Sequence, residues 1–63
     1  MKKYYNFETL FRSLKDEFRQ FLKENNIYYE LSEIGNFCGW HFEMLCTPEE
    51  VNRCNDWLDA HTI

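Results

Sequence analysis

The dipeptide Gly35-Asn36, set between two runs of strand-forming residues, constrains this chain more than any other feature. Glycine and asparagine accept the positive φ that a two-residue hairpin loop requires. A loop of that length predicts an antiparallel hairpin of residues 27–34 and 37–46. In it Ile34 faces Phe37, Leu31 faces Trp40, Tyr29 faces Phe42 and Ile27 faces Met44. The last three pairs share one face, and all are apolar. A slip of one residue would move every side chain to the opposite face. Turn chemistry and alternation therefore support each other.

Helical periodicity flanks the hairpin. Phe7, Leu10, Phe11, Leu14, Phe18, Phe21 and Leu22 recur at spacings of three and four, predicting a helix over about 7–24. Asn6 is placed to cap it, with Tyr5 and Leu10 at hydrophobic-staple positions. Asn25-Asn26 supplies a stop, since asparagine tolerates the left-handed conformation of a helix end. Thr47-Pro48-Glu49-Glu50 spells a capping box and predicts a second helix over about 48–60. Val51, Cys54, Trp57 and Leu58 form its buried stripe, and Glu49 and Arg53 are spaced for an exposed ion pair.

The expected fold is α+β: a single α-β-β-α domain with both helices on one face of the hairpin. Dimerisation offers a route to a larger sheet. The chain has 63 residues, of which 19% are aromatic and 44% hydrophobic, so one folded domain is expected rather than two or a disordered chain. Large aromatic side chains suit a small core because each removes much apolar area from water.

The hairpin face away from the helices carries Tyr28, Glu30, Ile34, Phe37, His41 and Glu43. The two-residue loop sets Glu30 opposite His41 and Tyr28 opposite Glu43. Nothing else in the chain is left to cover this face, which marks it as the expected partner-binding surface. The other candidate is a basic stripe of Arg12, Lys15, Arg19 and Lys23 on the first helix, interrupted by Glu8. Such a stripe could follow a phosphate backbone.

Cys38, Cys46 and Cys54 are odd in number and lack zinc-ligand spacing, so they read as buried apolar thiols rather than staples or ligands. No metal or cofactor is expected. With two glycines, the chain offers no phosphate-cradling loop and no nucleophile elbow. Charge is uneven: residues 1–25 carry +2 and residues 26–63 carry −6, for a total of −4. No targeting segment or membrane span is legible, and a cytoplasmic location is expected.

These features point away from an enzyme and toward a small regulator or inhibitor that binds a larger protein with a basic surface. Inhibitors carried by phages and mobile elements against host defence nucleases share this size and charge. The alternatives are a dimeric nucleic-acid-binding regulator using the basic stripe, and a structural homo-oligomer.

Overall fold

Tyr4 to Thr9 alternate between exposed and sheltered side chains, the period of a strand and not of a helix. The computed structural model describes residues 1–37 and 39–61, excluding the side chain of Phe37. In it β1 spans Lys3–Thr9, α1 Arg12–Glu24, β2 Tyr28–Glu33, β3 Trp40–Cys46 and α2 Pro48–His61. The strands form one antiparallel sheet in the order β1-β3-β2, with both helices against one face. The α+β class, the hairpin and the two helices stand as expected. The N-terminal strand is an addition, and it takes over the residues expected to begin the first helix.

That helix starts at Arg12, not Phe7. Asn6 lies within β1 and caps nothing, and Tyr5 and Leu10 form no staple. Thr9 makes the transition instead, its Oγ1 accepting the Phe11 N–H at 3.1 Å. Leu10 and Phe11 are left at the bend with exposed side chains. Helix α1 then buries Leu14, Phe18 and Leu22. It ends as expected: Asn26 is left-handed at φ 57°, and the Ile27 N–H returns to the Leu22 carbonyl at 2.9 Å.

The strands of the hairpin pair two residues out of the expected register. Leu31 faces Phe42, Tyr29 faces Met44 and Glu33 faces Trp40. The connection is a six-residue loop rather than a two-residue turn. A short 3₁₀ turn occupies Gly35–Phe37, Asn36 has φ 61°, and Gly39 has φ +105°. The Ile34 N–H closes the loop on the Gly39 carbonyl at 2.9 Å. A shift of two preserves the pleat, so the residues paired within β2 and β3 keep their predicted faces, whereas Ile34 leaves the sheet for the loop.

Phe18, Leu22, Ile27, Phe42, Met44, Cys46 and Cys54 form the core, with Tyr5, Phe7, Val51 and Trp57 among those packed around it. Cys46 and Cys54 are free and buried, while Cys38 lies outside the described residues. Burial, then its neighbour Cys46, pushes the Cys54 thiol up to about 12. Such a group stays protonated and unreactive at neutral pH.

The capping box forms in both directions. The Glu50 N–H donates to Thr47 Oγ1 at 3.2 Å, and the Thr47 N–H donates to Glu50 Oε1 at 2.9 Å. Arg53 does not turn to Glu49 but donates to Asn25 Oδ1 at 3.3 Å, joining α2 to the end of α1. Thr47→Ala should cost about 1 kcal/mol in a urea titration. The Thr47 backbone N–H holds the Glu50 carboxyl below its ordinary value of 4.5. The unfolded chain therefore binds the extra proton first, and this stabilisation is lost as pH falls from 4.5 through the lower folded value. The stability difference between the wild type and Glu50→Gln should shrink over that window.

Candidate interaction face

Strand alternation divides the sheet into a covered and an open side. Trp40, Phe42, Met44 and Cys46 of β3 look toward the helices; His41, Glu43 and Leu45 look away. The register extends the open side across all three strands. Tyr4, Leu45 and Tyr28 make one row, Asn6, Glu43 and Glu30 the next, and Glu8, His41 and Ser32 the third. The face is thus graded, with two exposed tyrosines flanking a leucine at one end and carboxylates across the middle and far end.

Four of the six residues expected here are brought together: Tyr28, Glu30, His41 and Glu43. Ile34 is not on this face. It is half-buried in the loop, lining a shallow groove with Leu10, Glu33 and Trp40. Phe37 sits in the same loop, and its side chain lies outside the description. Tyr4, Asn6 and Glu8 complete the face from β1. Their alternation with Tyr5, Phe7 and Thr9 was the signal that could have found them.

The partners across the strands differ from those expected. Glu30 lies opposite Glu43, not His41. His41 is held by β1: its Nδ1 is 2.9 Å from Glu8 Oε2, and its Nε2 is 3.0 Å from Asn6 Oδ1. Glu8 therefore belongs to the open face and does not interrupt the basic stripe. The Glu30 carboxylate, with lesser help from burial, Tyr4 and Glu43, raises the Tyr28 phenol above its ordinary value.

The basic stripe runs along α1, but two of its four cations, Arg12 and Lys15, are already engaged. Lys15 Nζ lies 5.1 Å from the Trp40 ring centre and the Arg12 guanidinium carbon 5.9 Å from it. Lys15 also pairs with Asp16 at 2.8 Å. The hydrogen bond from Lys15, aided by Arg19 and Arg12, holds the Asp16 carboxyl below its ordinary value. Asp16, rather than Glu8, is the acid set among these cations.

Among the described residues, no three His, Cys, Asp or Glu side chains converge to hold a metal ion. No described helix is long and apolar enough to cross a membrane. Fold and face together define a small α+β domain with an open, acidic sheet surface. No protein-family model, curated protein or solved structure matches the chain.

Proposed function

We propose that this chain is a non-catalytic protein-interaction module, a regulator or inhibitor that docks its open sheet face on the basic surface of a larger protein. The observation that carries this reading is Glu30 directly opposite Glu43. Like charges opposed across strands destabilise a sheet. A threonine or an opposite charge at either position would serve the fold better. Among the described residues of the three strands, the open face carries no lysine or arginine to offset its three carboxylates. A cationic partner would supply that compensation, and charge of this kind speeds encounter and selects partners. Tyr4 and Tyr28 add amphipathic rings, favoured at the centres of interfaces. A basic nucleic-acid groove, such as that of a defence nuclease, would supply the opposite charge, and occupying it is the role of an inhibitor of phage or mobile-element type.

The alternative places nucleic acid on Arg12, Lys15, Arg19 and Lys23. It is the weaker reading because Arg12 and Lys15 rest on Trp40 and Asp16 sits among the four. Binding to DNA or heparin that falls steeply with salt and is lost on Arg19→Glu would favour it.

The test is the double reversal Glu30→Lys with Glu43→Lys. A partner captured from the native cell by the wild type should lose about two orders of magnitude or more in affinity, roughly 2.7 kcal/mol upward. The circular dichroism of the variant should match the wild type. Unchanged affinity for the same partner would refute the assignment of this face.

A further inference from the structure

The sheet has two edges, β1 on one side and β2 on the other. An edge strand presents unpaired N–H and C=O groups, a template for another strand. The two edges differ in how well they resist one. Strand β2 carries Glu30 and Glu33 and no cation. Pairing it with a copy of itself would gather four carboxylates along one seam. Strand β1 carries one lysine and one glutamate, Lys3 and Glu8, near opposite ends. The Glu8 carboxylate, the one acid of this strand, is bonded through Oε2 to His41. An antiparallel copy would lay the cationic end of one strand, with Lys2 and Lys3, beside the anionic end of the other.

The register of such a pairing follows from the faces. A two-fold axis normal to the sheet keeps both helix layers on one side, so residues of equal parity must meet. Centring the axis on Asn6 uses the full length of β1. Tyr5 then lies opposite Phe7 of the copy on the covered side. Both rings are half-buried at the rim of the core, and an aromatic cross-strand pair would shelter their remaining surface. On the open side Tyr4 meets Glu8 of the copy, a phenol donor beside a carboxylate acceptor. Asn6 meets Asn6. Stacking the open faces on each other is the competing arrangement, and it would set three carboxylates against three.

We propose that the chain pairs with a second copy along the outer edge of β1, forming one six-stranded antiparallel sheet of order β2-β3-β1-β1-β3-β2 centred on Asn6. The open faces of both copies then point the same way and stay free, so this inference stands apart from the identity of any foreign partner.

The test joins hydrodynamics to cross-linking of the full chain. Sedimentation velocity over the micromolar range should show a dimer for the wild type. It should show a monomer for Tyr4→Glu, which adds a carboxylate opposite Glu8 on each side of the axis. In Asn6→Cys the two new thiols face each other at a Cα separation of about 4.5–5.5 Å, within disulfide range. Oxidised glutathione should convert most of that variant to a covalent dimer on a non-reducing gel. Glu43→Cys and the wild type should remain uncross-linked. A wild type that sediments as a monomer throughout overturns the proposal. So does a dimer in which Asn6→Cys cross-links no faster than Glu43→Cys.

Discussion

Replacing Phe18 by alanine is expected to cost about 3–5 kcal/mol, the upper range for a buried aromatic cut to a methyl group. Phe18 has no exposed surface. Its ring lies 5.2 Å from Phe7, 5.1 Å from Phe42 and 5.4 Å from Trp57, measured between centres. One side chain therefore joins α1 to β1, β3 and α2. A domain of this length has a total stability of roughly 3–9 kcal/mol, so Phe18→Ala should remove about a third of it or more. Urea titration followed by far-ultraviolet circular dichroism and tryptophan emission measures the loss. Phe18→Leu keeps most of the volume and should cost about 1–1.5 kcal/mol. If the alanine variant lost less than about 1 kcal/mol, the shared core would not depend on this ring.

Gly39→Ala is expected to be nearly as damaging, at about 2–4 kcal/mol, for a backbone reason. Its φ of +105° is a conformation that L side chains rarely adopt, and a Cβ there would run into the Thr9 carbonyl oxygen. That contact lies where the loop returns to β3 beside the end of β1, so relief would require moving backbone. Thermal unfolding should drop by roughly 10–30 °C for a domain of this size. Gly35→Ala is the control. A Cβ there meets nothing within 4 Å, so its effect should stay within about 0.5 kcal/mol. Equal losses at the two positions would contradict this account of the loop.

These two glycines show where sequence reasoning succeeded and where it failed. Gly35-Asn36 does mark the reversal of the chain, and Asn36 does take positive φ. The glycine on which the geometry depends is Gly39: its φ of +105° disfavours a side chain, and β1, a strand distant in sequence, leaves no room for a Cβ beside the Thr9 carbonyl. The faces of Leu31, Tyr29, Phe42 and Met44 survived the longer loop because pleat parity is unchanged by a shift of two. Cross-strand partners have no such protection. The expected Glu30 and His41 pair became Glu30 with Glu43, and His41 with Glu8.

The N-terminal segment was ambiguous for a physical reason. Phe7, Leu10, Phe11 and Leu14 satisfy helical spacing, while Tyr5, Phe7 and Thr9 satisfy strand alternation over the same stretch. Local pattern does not decide between them. The unpaired edge of β3 does, because a two-stranded hairpin gains a full ladder of hydrogen bonds by accepting Lys3–Thr9. Burying Phe7 against Phe18 and Phe42 adds to that gain. A helix starting at Phe7 would leave both unrealised.

By itself, then, the sequence determined what short-range chemistry controls: the left-handed stop at Asn26, the capping box at Thr47, the apolar stripes, and the face on which each paired residue of β2 and β3 lies. The tertiary structure alone decided which strand lies beside which, and hence the third strand, the residues opposite His41 and Glu43, and the width of the open acidic face. Those choices rest on hydrogen bonds and ring contacts between segments some thirty-five residues apart, as between Asn6 and His41, whose energies appear only once the chain has closed on itself.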